Sequence, residues 1–209
     1  MNWTHYFKDV WLVGSRYMVI ASLAFLIAYV LLRKTIAGKK IQQKFPRIMD
    51  YGREIGFSVL TIFVMAFIPA MVLGTPSIAK YTKFYYDINQ HSRLWFFLAF
   101  PIMAFMHDTY FYWTHRIMHL KLFFPTFHKI HHLSTNPTPW AAFSFHPLEA
   151  IVEAGILPVI VFLIPVHPAA IFIFLFFMTL MNVLGHLGYE KKKNKNCSRM
   201  NRNEKDNHR

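Results

Sequence analysis

Apolar residues gather into long runs along this chain, and the polar stretches between them mark out the elements. Trp11 to Leu32 predicts a first membrane-spanning helix, with Trp3, Tyr6 and Trp11 placed for the membrane interface. A polar loop from Arg33 to Glu54 follows, carrying Arg33, Lys34, Lys39, Lys40, Lys44, Arg47 and Arg53. Ile55 to Leu73 predicts a second span, interrupted by Pro69 and ended by Gly74-Thr75-Pro76. Leu94 to about Tyr112 predicts a third, with Pro101 as a kink site. Pro147 to Ile164 and Ala169 to Leu184, joined by the tight turn Pro165-Val166-His167-Pro168, predict a helical hairpin. The fold class is therefore all-α, a polytopic membrane bundle of about four to five transmembrane helices with a cytoplasmic histidine-rich helical segment.

Composition agrees with that pattern. Apolar residues make up 55% of the chain and charged residues only 16%, far from the balance of a soluble domain. The length suits one membrane domain, residues 1–190. The segment 191–209, rich in lysine and asparagine, reads as a disordered basic tail. The net charge of +13 could suggest nucleic acid, but the basic residues flank the apolar runs, which points to topology and anionic headgroups and excludes a nucleic-acid partner. Placing the 33–54 loop, the histidine segment and the tail on one side gathers 18 of the 23 Lys and Arg residues there, and marks that side as cytoplasmic. Cys197, the single cysteine, allows no internal disulfide and suits a reducing face. The first apolar run is longer than a signal-peptide core and lacks a cleavage site. With no retention signal, a bacterial inner membrane is favoured over the endoplasmic reticulum.

Six histidines fall between His107 and His132. His115 and His119 are four apart, so on a helix they share a face, and His128, His131 and His132 repeat the spacing at i, i+3 and i+4. Pro125 separates the groups, which predicts two short helices meeting at an angle. One histidine on an apolar face is ordinarily a hydrogen-bonded core residue, but two multi-histidine groups at helical spacing point to a metal such as iron, zinc, copper or nickel. His186, at the end of the last span, joins the same depth as a further ligand. His107 and His146 are weaker candidates. Glu149, one turn before Glu153, reads equally as a helix-end charge or as an acceptor that orients a ligand imidazole. Asp108 and Arg116 flank the first group without being ligands, and Tyr110 to Trp113 read as packing. His5, His91, His167 and His208 are structural or surface residues. Gly185 and Gly188 permit close approach of another backbone or a substrate.

His115-Arg-Ile-Met-His119 and His128-Lys-Ile-His131-His132 resemble the histidine boxes of the fatty acid hydroxylase and sterol desaturase superfamily. The resemblance extends to Phe111-Tyr112-Trp113, His146-Pro147-Leu148-Glu149 and Gly185-His186-Leu187-Gly188-Tyr189-Glu190, covering about 94–190. It implies a non-haem di-iron centre, with two iron ions held by His115, His119, His128, His131, His132 and His186 and with dioxygen as co-substrate. No catalytic side chain beyond the metal ligands is assigned. A membrane lipid, sterol or fatty acyl, would be hydroxylated or desaturated, with electrons from a b-type cytochrome or a ferredoxin. The family's third box, a further His-x-x-His-His, does not follow Glu190, where His208 is the only histidine. The resemblance thus carries an expectation of a truncated chain with lowered or lost activity. The alternative is a non-catalytic metal-binding membrane protein. A metal transporter fits less well, because transport sites lie at mid-bilayer and these histidines at one end.

Overall fold

The computed structural model describes residues 2–42 and 44–190. The expected basic tail, with Cys197 and His208, lies outside the described residues. Four helices are long and apolar enough to cross a membrane. The first, α1 (Trp3–Phe25), begins well before Trp11 because the Asn2 side chain accepts from the Thr4 N–H at 2.9 Å and caps it. It runs on through a π-helical turn, Leu26–Leu31. A short helix α2 (Arg33–Ile36) leads into the polar loop. The second long helix, α3 (Ile48–Leu73), starts seven residues ahead of Ile55. Its first turn is closed by Asp50, whose carboxylate accepts from the Arg47 N–H at 3.0 Å and pairs with Arg53 at 3.1 Å. Pro69 stays inside α3. The short α4 (Pro76–Ala79) begins the connection to the next span.

The third long helix, α5 (Arg93–Met118), passes through Pro101 and continues beyond Tyr112 to the first histidine group. That group therefore sits on the end of a span rather than on a separate short helix, since nothing between Tyr112 and Met118 breaks the backbone ladder. Pro125 does act as a start signal, in the first turn of α6 (Phe124–Phe127). The second group follows on α7 (Lys129–His132), and a 3₁₀ turn covers Pro139–Phe143. The expected span 147–164 is two eight-residue helices, α8 (Pro147–Ala154) and α9 (Ile156–Leu163), joined at Gly155. A Cβ at Gly155 would meet the Tyr110 hydroxyl at 2.5 Å, so α5 approaches too closely there for any side chain. The last long helix, α10 (Pro168–Gly185), matches its apolar run. Among the described residues there is no strand beyond two isolated bridges, Lys40 with Tyr189 and Phe84 with Val166.

Packing defines two ends. At one, the end of α9 and the turn after it dock on the α4–α5 connection and the start of α5: Lys83 N–H donates to Val161 O at 2.7 Å and Trp95 Nε1–H to Pro165 O at 3.0 Å. At the other, the polar loop meets the histidine segment: Arg53 donates to Leu133 O at 3.1 Å and Asn136 to Lys44 O at 2.7 Å. Between the ends, Ala99, Met103, Ile160, Val161, Ala170 and Phe174 form one buried cluster, and Tyr17, Ile62, Phe143 and Val183 belong to a second. Tyr17 stacks on Phe143 at 4.3 Å and its hydroxyl donates to Trp140 O at 2.7 Å. These contacts hold the segment that carries the histidines against α1 and α3.

Candidate metal centre

The end of α5 delivers His115 and His119, whose Nε2 atoms are 3.1 Å apart. His128, the residue that opens α7, turns its ring between them, with centroids 4.5 Å from His115 and 4.7 Å from His119. One ring nitrogen from each of the three falls within 4.8 Å of the others. His132 adds a fourth ring, 5.0 Å from His119 and 4.7 Å from His128. A second convergence lies beside the first: His131 and His186 face each other with Nε2 atoms 3.4 Å apart. Two imidazole nitrogens bound to one ion at about 2.1 Å each lie roughly 3.0–3.5 Å from one another, so both close pairs have the right separation.

Hydrogen bonds fix the orientation of two rings. His128 is 1% exposed and its Nδ1–H donates to Glu149 Oε1 at 2.6 Å. Its Nε2 is then the lone-pair nitrogen, buried with no partner within the chain. His186 ends α10 with Nδ1–H donating to Asn182 O at 2.8 Å, which frees Nε2 toward His131. Burial pushes the pKa of His119, His128 and His132 below the ordinary range, with neighbouring imidazoles adding to the effect at His119 and His132. For His131, burial and then His186 and His128 press it down to about 3. Neutral rings with lone pairs turned inward are the state that binds borderline metals. The orphaned His128 Nε2 among convergent nitrogens shows that the residues present fit such an ion.

The remaining candidates stand outside the imidazole cluster, although His107 lines the same cavity. His107 pairs with Asp108 at 3.2 Å and stacks along Phe111, two turns below His115. His146 caps α8, accepting from the Leu148 N–H at 3.3 Å. Arg116 donates to the Tyr112 hydroxyl at 2.7 Å, and His167 caps α10. Glu149 is both a first-turn carboxylate of α8 and the partner of His128. One polar residue of the site carries a signal not used in the sequence reading: Arg16 is a cation within an apolar run. Glu153, noted there only for its spacing from Glu149, lines the same site.

A cavity of about 310 Å³ runs from the histidines into the bundle. His115, His128, His131 and His186 lie at one end, and Val13, Met65, Leu157, Leu175 and Met178 give it apolar walls.

Fold and site together define a multi-span helical protein with clustered histidines at the mouth of an apolar cavity. The family model described as Fatty acid hydroxylase matches residues 100–209, and the chain belongs to that family. It is 31% identical over 118 residues to lathosterol oxidase of Rattus norvegicus, covering 56% of this chain and 39% of that protein. It is 26% identical over 180 residues to a Delta(7)-sterol 5(6)-desaturase of Gibberella zeae, covering 85% and 49%. A probable Delta(7)-sterol 5(6)-desaturase of Neurospora crassa is 28% identical over 180 residues, covering 84% and 50%. The chain thus spans half or less of the length of these relatives. No solved structure matches it.

Proposed function

We propose that this protein is a membrane lipid oxidoreductase that hydroxylates or desaturates a lipid, a sterol in first place, at a histidine-held pair of irons. The observation that carries this reading is the meeting of six imidazoles, four of them lining one end of an apolar cavity inside a membrane bundle. His115, His119, His128 and His132 would hold one ion, and His131 and His186 would contribute to a second. When bound, iron supplies the power to activate dioxygen against an unactivated C–H bond. For desaturation the balance is one dioxygen, two substrate hydrogens, two protons and two electrons, giving a double bond and two waters. The electrons require a donor such as a b-type cytochrome or a ferredoxin.

The chain's own residues supply the setting. Glu149 keeps the proton on His128 Nδ1 and the Asn182 carbonyl keeps it on His186 Nδ1, so the facing nitrogens stay free of protons. The apolar walls exclude water and hold the lipid's reacting carbon beside the histidines. The names of the relatives support a sterol substrate and favour the enzyme over a non-catalytic metal binder. Their rat and fungal sources favour an endoplasmic reticulum membrane over the bacterial inner membrane that the sequence alone suggested. The basic residues at the histidine end support a cytoplasmic orientation for it.

Iron analysis of the purified full chain tests this. About two irons per chain are expected, with conversion of a 7-ene sterol when a reductant is present. His131→Ala should lower the iron content and abolish conversion. Full iron content in that variant, or no iron in the parent protein, contradicts the reading.

A further inference from the structure

We propose that Glu153 recognises the hydroxyl group of a sterol held in the cavity, an inference that rests on the lipid-oxidation reading above. Most polar side chains on the cavity wall are already engaged. Thr179 donates to Leu175 O at 2.7 Å, Asn182 to Ala142 O at 2.8 Å, and Glu149 accepts from His128 through Oε1, leaving only its Oε2 buried without a partner. Glu153 and Arg16 differ: both line the cavity, the Arg16 Nε is buried without a partner, and among the described residues neither oxygen of the half-buried Glu153 carboxyl accepts a hydrogen bond. A carboxyl group facing an apolar space needs a polar ligand atom, because an unmet partner costs affinity.

Position then separates the two. Glu153 stands four residues after Glu149 on the same face of α8, about 6 Å deeper along the helix. Glu149 grips His128, so Glu153 lies one turn away from the residues that face the reacting carbon. A substrate that satisfies Glu153 must carry a hydrogen-bond donor within a few bonds of the oxidised position. The hydroxyl oxygen of a sterol's first ring lies about 4–5 Å from the nearest carbons of its second ring, by ordinary bond lengths. A fatty-acyl chain oxidised at mid-chain offers no polar atom at that range and would leave the carboxyl unpaired. Arg16 is on a different helix, α1, and its guanidinium would suit an anionic headgroup instead.

The test uses the full chain in nanodiscs and measures equilibrium binding of a tritiated 7-ene sterol, its 3-O-methyl ether and a long-chain acyl lipid. The ether keeps the ring system but cannot donate to a carboxyl group. The parent protein should prefer the free sterol over the ether by about tenfold or more. Glu153→Leu should erase that preference by weakening the free sterol alone, and Glu153→Gln, which keeps an acceptor oxygen, should retain part of it. The ether's unchanged affinity shows that the variants are folded. The proposal is overturned if Glu153→Leu keeps the preference, if it weakens sterol and ether equally, or if Arg16→Leu is the variant that erases it. It also falls if the parent protein binds only the acyl lipid, an outcome that leaves lipid oxidation standing. A hydroxyl preference that vanishes in Glu153→Leu, in a chain that holds no iron, upholds Glu153 and removes the oxidation reading.

Discussion

One hydrogen bond decides which nitrogen of His128 faces its neighbours. With Nδ1–H held by Glu149 at 2.6 Å, the lone pair on Nε2 points toward His115 and His119. Glu149→Leu removes that control and should weaken iron binding about 10–100-fold, read by competition with a chelator. His146→Ala, which removes only a helix cap, should cost about 1 kcal/mol of stability and leave iron content unchanged. Equal iron loss in both variants would contradict the distinction. Acid sensitivity follows from the half-buried ring of His131. In the metal-free protein His131 refuses a proton until about pH 3, whereas the unfolded chain takes one near 6.5. Within that window the unfolded state binds more protons, so stability is greatest above pH 6.5 and falls as the pH is lowered. Thermal melts in detergent should show Tm dropping between pH 7 and pH 5, and a flat profile would contradict it.

The break between α8 and α9 has its cause in a neighbouring helix. The Tyr110 hydroxyl donates to Val152 O at 2.6 Å and occupies the space a side chain at Gly155 would need. Gly155→Ala should therefore destabilise the protein by about 1–3 kcal/mol. Adding Tyr110→Phe should return part of that loss, and strict additivity of the two changes would count against the contact. No periodicity within the apolar run 147–164 reveals such a break, because it is imposed from α5. Helix starts were hidden for a simpler reason. Polar residues such as Asp9, Asp50 and Arg53 read as loop, although they lie in the opening turns of long helices. The apolar runs themselves, and the helical spacing of the histidines, were plain in the sequence because both are local patterns.

At the scale of the molecule, the pairings that complete the centre are long-range, and no local pattern carries them. His131 meets His186 across 55 positions, and Glu149 reaches His128 across 21. Its depth at the end of the last span supplied His186 in the sequence reading, and the family motif matched it, while the roles of Glu153 and Arg16 emerge only with the cavity. The two ends of the bundle also give orientation a test. In sealed microsomes of a Cys197→Ser background, Lys34→Cys should react with a membrane-impermeant thiol reagent from the cytoplasmic side. Lys83→Cys should react only after permeabilisation. Labelling of both from one side would overturn the proposed topology.

The widened turn at Leu26–Leu31 contains Tyr29, whose hydroxyl lies 3.2 Å from Pro137 O and 3.0 Å from Leu187 O. One phenol thus cross-braces the loop leaving His132 and the residue after His186. The family model matches from residue 100, so this brace comes from a part of the chain ahead of that match. Grafting residues 100–190 alone onto another membrane scaffold would transfer all six imidazoles without the strut that sets the spacing of the last two.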